Sequence, residues 1–232
     1  MSFPDGLLLV DKPAGPTSYD IIRWIKPKLG GAKIGHAGTL DPLASGLLIV
    51  LIGKATKRQD DVMGSDKVYR CRLKFGLRTD TGDVTGRTIE TSSGTAPDGE
   101  HLWRILSTFA GDHLQTPPMY SALKQKGVPL YKLARQGKTV ERKPRKVSIR
   151  WMEPLEGGGA EAAFRVRCSS GTYIRSLVED IGAAAGVGAT MSALEREAIG
   201  NFTIDRATPG DQLRGWDADA LARSVVPVES VL

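Results

Sequence analysis

Gly35-His36-Ala37-Gly38-Thr39-Leu40-Asp41-Pro42-Leu43-Ala44-Ser45-Gly46 sets one carboxylate among glycines and a proline, just ahead of the apolar run Leu47 to Ile52. The glycines permit positive φ or the close approach of another backbone. Pro42 fixes its own φ, removes a donor and pushes Asp41 toward an extended conformation. Asp41 is therefore expected to be held in place. Taken alone, the Asp41-Pro42 pair reads as a turn or N-cap aspartate accepting bonds from nearby N–H groups. Two other chemistries are tested by the same stretch. His36, Asp41 and Ser45 are the residue types of a hydrolase triad, but Leu43 stands where the nucleophile elbow needs its first glycine. A phosphate-cradling P-loop is absent, since Gly53-Lys54-Ala55-Thr56 lacks the preceding glycine at the required spacing.

At 232 residues the chain can bury a substantial core as one large domain or one domain with an insertion. Hydrophobic residues make up 41% and charged residues 25%, an ordinary soluble balance, and the apolar runs Leu7 to Val10 and Leu47 to Ile52 are too short to span a bilayer. The start, Met1 to Gly6, has no basic segment ahead of an apolar one, so no secretory signal is expected and the expected compartment is the cytoplasm. Cys71 and Cys168 form neither a disulfide framework nor a zinc set and are expected as buried thiols. His36, His101 and His113 have no metal-ligand spacing, so neither metal nor cofactor is expected. A net charge of +6 and a pI near 9.4 point to a polyanionic partner.

Working outward, Gly6 to Val10 reads as a short buried strand ending at Asp11-Lys12-Pro13-Ala14-Gly15-Pro16, where Lys12 could meet a phosphate or form a solvated pair with Asp11. Thr17 or Ser18 then caps a helix whose apolar stripe is Ile21, Ile22 and Ile25, broken by Pro27. Val68 to Phe75 alternates, with Tyr69, Cys71, Leu73 and Phe75 on one face and Arg70, Arg72 and Lys74 on the other, which predicts a strand with a basic face. Leu77 to Gly99 has the composition of a loop, its carboxylates structural. Leu102, Ile105, Leu106 and Phe109 predict a helix closed by Gly111. Lys124 to Arg150 holds ten Lys or Arg against the single acid Glu141. Ala162, Phe164, Val166 and Cys168 predict a second half-buried strand. Ile174, Leu177, Val178 and Ile181 share one helical face, and on pattern alone Arg175 would pair with Glu179 one turn on.

Four motifs resemble the TruB family of pseudouridine synthases over nearly the whole chain: Asp11 to Gly15, Gly35 to Leu47, Pro117 to Lys124 and Gly171 to Leu177. The resemblance implies an α+β pseudouridine synthase fold, with a long, mostly antiparallel mixed sheet, flanking helices and a basic RNA-binding insertion at about 124–150. It implies that the uridine at position 55 in the tRNA T-loop is isomerised to pseudouridine. Asp41 is then the catalytic aspartate, Arg175 its ionic partner, and Tyr69 an active-site tyrosine packed on the uracil and a candidate base for the C5 proton. Tyr173 and Leu194 would line the pocket, His36 would contact the T-loop, and Lys12 would contact RNA. Asp41 could attack C1′ of the ribose, attack C6 of the ring, or help remove a proton. The base must first leave its stack, as enzymes acting on bases require. The implied partner is the T-arm of tRNA, with no guide RNA, no membrane and no cofactor, and with the protein a monomer. Ser192 to Phe202 matches a later family segment but departs from it at Glu195 and Asn201, where a basic residue and a proline are usual. Because the chain stops soon after Val226-Pro227-Val228, residues 1–232 are expected to be a single catalytic domain, with the family's C-terminal RNA-binding domain absent or vestigial. The alternatives are a non-catalytic RNA-binding or tRNA-folding protein and the guide-RNA-dependent branch of the family.

Overall fold

The computed structural model describes residues 3–227. Met1, Ser2 and Val228 to Leu232, on which the expectations about a leader and about the end of the chain partly rest, lie outside them. The chain divides into two compact units, Met1–Val68 with Glu195–Leu232, and Tyr69–Leu194.

The chain opens with β1 (Gly6–Lys12), α1 (Ser18–Ile25), β2 (Ile34–Ala37), β3 (Ser45–Ile52) and α2 (Gln59–Gly64). There follow β4 (Lys67–Phe75), the pair β5 (Leu77–Thr79) and β6 (Thr88–Thr91), α3 (Gly99–Ser107) and β7 (Gly111–Gln115). Next come β8 (Lys124–Gln125), β9 (Val128–Pro129), α4 (Leu130–Arg135), β10 (Arg145–Gly157) and β11 (Glu161–Cys168). The chain continues with α5 (Ile174–Ala184), β12 (Ala189–Ile199), β13 (Phe202–Thr203), β14 (Thr208–Pro209) and α6 (Ala218–Arg223). This is the expected α+β class, with a mixed sheet and flanking helices.

In the first unit β1 runs antiparallel to β3, from Gly6 opposite Ile52 to Lys12 opposite Gly46. Strand β14 joins β1 in parallel, β2 lies antiparallel to β3, and Glu195 and Arg196 of β12 pair in parallel with Ser45 and Gly46. Both β1 and β3 are apolar at successive residues because both faces are covered. Leu8, Val10, Leu48, Val50 and Ile52 pack with Ile21, Ile22 and Ile25 of α1 and with Leu213 and Leu221. Leu7, Leu9, Leu47, Ile49 and Leu51 pack on the other side with Val62, Ile199 and Phe202. Each such side chain contributes roughly 1.5–3 kcal/mol by leaving water, so this strand pair is the centre of the unit's core. Helix α1 starts at Thr17, whose hydroxyl accepts from Asp20 N while the Asp20 carboxylate accepts from Thr17 N, and it passes into a 3-10 turn at Lys26–Lys28 that contains Pro27.

In the second unit β10 lies between β7 and β11, antiparallel to both. The alternation of β4 is as expected, with Tyr69, Cys71, Leu73 and Phe75 buried. Its basic face is met by acids of the unit, since Arg72 and Arg70 both reach Glu156 and Lys74 lies 3.0 Å from Glu161. On β11, Ala162, Phe164, Val166 and Cys168 are buried, and Arg165 reaches Glu153 at 3.2 Å. Cys71 and Cys168 are both buried, and burial pushes the Cys71 thiol pKa up. Helix α3 buries Leu102, Ile105 and Leu106 but ends at Ser107 with Thr108 as its cap. Gly111 does not close it; at φ +107° it opens β7 instead. Within the stretch Leu77 to Gly99, expected as loop, β5 and β6 form a two-stranded ribbon. All four residues of β6 are exposed, which left no alternation to read. Among the described residues no helix is long and apolar enough to cross a membrane.

Candidate active site

The Asp41 loop is fastened along its length by groups of the first unit. The Ser18 hydroxyl, at the start of α1, accepts from Leu40 N at 2.9 Å and donates to Leu40 O at 3.2 Å. On the other side of Asp41, Pro42 O accepts from Gly15 N at 2.7 Å, and Asp41 O itself accepts from Ala44 N at 3.1 Å. The motif Asp11 to Gly15 thus braces the loop through backbone. These bonds fix the backbone on both sides of the half-exposed Asp41.

Two basic side chains near the loop, Lys12 and His36, are withdrawn from solvent to different degrees. Lys12 is fully buried, with Nζ donating to Pro13 O and Pro16 O at 2.8 Å each, so it is not a solvated partner of Asp11. Burial first, and then the Arg196 charge, pull its pKa down to about 8, while Asp41, Asp11 and Asp20 act in the opposite direction. His36 sits in β2 opposite Val50, with its backbone carbonyl accepting from Gln59 Nε2 at 3.2 Å. Burial, followed by Arg196, lowers its pKa, and Nδ1 is a buried atom with no hydrogen-bond partner among the described residues.

Arg196 was not among the residues singled out from the sequence. It is 1% exposed, donating from Nε to Leu47 O at 2.8 Å and from Nη2 to Gly38 O at 2.9 Å. The available signal was its position two residues after Leu194 on one strand, a spacing that places it on the same face as that buried leucine.

In the second unit Tyr173 is the N-cap of α5. The side-chain amide of Gln115 clamps its backbone, accepting from Tyr173 N at 2.7 Å and donating to Tyr173 O at 3.1 Å. The Arg145 guanidinium lies over the Tyr173 ring at 4.8 Å from its centre and also donates to Gly171 O. Arg175 is 5% exposed, so it is no solvated surface side chain, although its charge still acts on Glu179. Its Nη1 donates to Thr81 O at 2.7 Å and its Nη2 to Tyr120 O at 2.6 Å, tying the turn after β5 to the Pro117 to Lys124 motif. Tyr69 on β4 and Leu194 on β12 are each 9% exposed. In the turn after β5 the carboxylates of Asp80 and Asp83 accept from the backbone N–H groups of Arg87 and Thr85, consistent with a structural reading. Of the basic run, Lys124 to Arg135 forms a hairpin and a short helix, while Arg145 to Arg150 begin β10.

The seven residues proposed from sequence therefore fall into two sets. Lys12, His36 and Asp41 belong to the first unit, and Tyr69, Tyr173, Arg175 and Leu194 to the second. No group of three or more His, Cys, Asp or Glu side chains able to hold a metal ion occurs among the described residues.

The Asp41 loop is thus braced within the first unit, with the buried Arg196 guanidinium bonded to its backbone at Gly38 and Leu47. Residues 26–174 match the family described as TruB family pseudouridylate synthase, N-terminal domain, and residues 175–232 match the tRNA pseudouridylate synthase B C-terminal domain. The chain belongs to the TruB family of pseudouridylate synthases. It is 47% identical to tRNA pseudouridine synthase B of Endomicrobium trichonymphae, over 97% of this chain and 96% of that one. It is 43% identical to tRNA pseudouridine synthase B of Burkholderia mallei, over 98% of this chain and 75% of that one. Among solved structures it resembles a chain of an archaeal box H/ACA sRNP Nop10-Cbf5 complex, with a TM-score of 0.70 and 27% identity. A chain of a Cbf5-Nop10-Gar1 complex gives a TM-score of 0.71 and 31% identity. The match covers 97% of this chain in both cases but only 60% of those longer chains.

Proposed function

We propose that this protein isomerises uridine to pseudouridine in tRNA, acting without a guide RNA on the T-loop uridine at position 55. The isomerase activity on tRNA rests on one observation: 47% identity, over nearly the whole of both chains, to a relative named tRNA pseudouridine synthase B. In the reaction the bond from N1 of uracil to C1′ breaks, the base turns, a C5–C1′ bond forms, the C5 proton leaves and N1 gains a proton. Neither redox chemistry nor a net loss of atoms is involved.

On this reading Asp41 starts the reaction, and the bracing around Leu40 and Pro42 serves to aim its carboxylate. Arg175 pairs with Asp41 in the working enzyme, favouring the ionised carboxylate as an adjacent positive charge does. Tyr69 packs on the uracil, Tyr173 and Leu194 complete the pocket wall, and Tyr69 takes the C5 proton. Unstacking the target base costs roughly a few kcal/mol, offset by stacking on these rings. His36 holds the T-loop. A contact between Lys12 and a phosphate would require the Lys12 to Pro16 segment to open when RNA binds, because Nζ is engaged by two carbonyls. Residues 124–150 grip the RNA backbone around a single catalytic domain, and the enzyme works as a cytoplasmic monomer.

The test is tritium release from C5-labelled uridine in an unmodified tRNA transcript, comparing wild type, Asp41→Asn and Tyr69→Phe. Wild type should release tritium and Asp41→Asn should not, while Tyr69→Phe should be slowed by about 100-fold or more if its hydroxyl accepts the proton. Full turnover by Tyr69→Phe would remove that role. Tight tRNA binding with no release from any of the three proteins would identify an RNA-binding protein instead.

A further inference from the structure

The geometry points to Arg196 as the positioning residue of the reaction: its buried guanidinium staples the two ends of the Asp41 loop, at Gly38 and at Leu47, and so sets where the carboxylate stands. This rests on the reading of Asp41 as the reacting carboxylate.

The two bonded carbonyls are Gly38 O and Leu47 O, one on each side of Asp41 along the chain. A single planar fork thus fixes the separation of the loop's ends, a task that a lysine's point charge does poorly. The backbone of Arg196 takes part as well, since it pairs in parallel with Gly46. Two of the loop's glycines are explained by this approach. A Cβ at Gly46 would lie 2.4 Å from Arg196 O, and one at Gly38 would lie 3.3 Å from Arg196 Nη1. Both positions also have positive φ, +100° and +81°. Gly46 thus leaves space for the β12 backbone at position 196, and Gly38 for the Arg196 guanidinium itself. A charge buried to this degree is costly unless it is well hydrogen-bonded, and an apolar side chain would fill the same core position without that cost. Its use is the geometry it imposes. Arg196 acts through the backbone of the loop rather than by touching the uridine.

The experiment measures single-turnover tritium release and, separately, the Kd for tRNA, in Arg196→Ala, Arg196→Lys and Asp41→Asn, with thermal melts to establish folding. Displacement of a catalytic group by about 1 Å can cost on the order of 100-fold, so Arg196→Ala should slow conversion of bound tRNA by about that factor while leaving Kd within about twofold. Ethylguanidinium, added below denaturing concentrations, should restore part of the rate to Arg196→Ala by occupying the vacated fork. Arg196→Lys keeps charge and most of the volume and decides the matter if the alanine variant does not fold. A loss of about 10-fold or more in its single-turnover rate at unchanged Kd supports the staple, and a wild-type rate overturns it. A folded Arg196→Ala whose defect lies wholly in tRNA affinity overturns it too. If Asp41→Asn turns over like wild type, the assignment of Asp41 fails instead, and the two failures are told apart within one set of proteins.

Discussion

Two bases in the first unit are held below their ordinary pKa, and both carry the same sign of linkage. For His36, burial and the facing Arg196 charge disfavour the imidazolium in the folded state. Between its ordinary pKa of about 6.5 and the lower folded value the unfolded chain binds more protons, so stability present above about pH 6.5 is lost as pH falls. Lys12, whose surroundings are Arg196, Asp41, Asp11 and Asp20, has its folded pKa at about 8. From about pH 8 up to its unfolded value the unfolded chain again binds more protons, and Lys12 makes stability rise with pH. Urea unfolding followed from pH 5.5 to 7.5 should show a shallower slope in His36→Gln than in wild type. The same measurement from pH 8 to 10 should show a shallower rise in Lys12→Met, and parallel slopes in either window would refute that residue's share. Arg175 teaches the complementary lesson. Its sequence spacing to Glu179 suits a weak surface pair, whereas its 5% exposure and two carbonyl partners make it an internal brace.

Among the elements, α1 shows how local chemistry fixes a boundary. Thr17 and Asp20 satisfy each other's backbone donors, and the chain turns after Ile25 where Pro27 follows. Thr17→Ala should cost about 1 kcal/mol in urea unfolding, because its hydroxyl satisfies a helix N–H that otherwise has only water. Tritium release under conditions where the protein stays folded should be unchanged by that substitution. The strands divide by what covers them. The continuous apolar runs of β1 and β3 feed two clusters on opposite faces, whereas β4 alternates with exposed arginines and a lysine. Those cations answer the acids Glu156 and Glu161 on the same face. Exposed pairs of this kind contribute little to stability, but they do mean that the basic face read from sequence is partly neutralised by the protein itself.

Over the whole molecule the charge of +6 is distributed unevenly, with ten basic residues against one acid between Lys124 and Arg150. Lys126, Lys138 and Lys143 in this run are exposed. If they neutralise phosphates, tRNA affinity falls steeply with salt through release of counterions. Replacing Lys138 and Lys143 together by glutamine should weaken tRNA binding and reduce the slope of log K against log salt by about 1 for each lost phosphate contact. The first-order rate for bound tRNA should stay near wild type. An unchanged slope would place the RNA path elsewhere on the surface.

The sequence carries the elements whose cause is local: the period-2 alternation of β4, that of β11 apart from the buried Ala163, the capped amphipathic stripe of α1, the buried face of α5, and the turn chemistry around Asp41. The α+β class and the family were legible for the same reason, since the motifs are short and contiguous. It was silent on the β5–β6 ribbon, where full exposure of β6 leaves no periodic signal, and it placed the end of α3 too late. What the buried polar side chains do depends on the assembled fold. Arg196 meets Leu47 across 149 positions of chain and Gly38 across 158, Arg175 meets Thr81 across 94, and Gln115 meets Tyr173 across 58. A hydrogen bond between residues so far apart leaves no periodic trace in the sequence, because its partner is chosen by how the strands and loops come together.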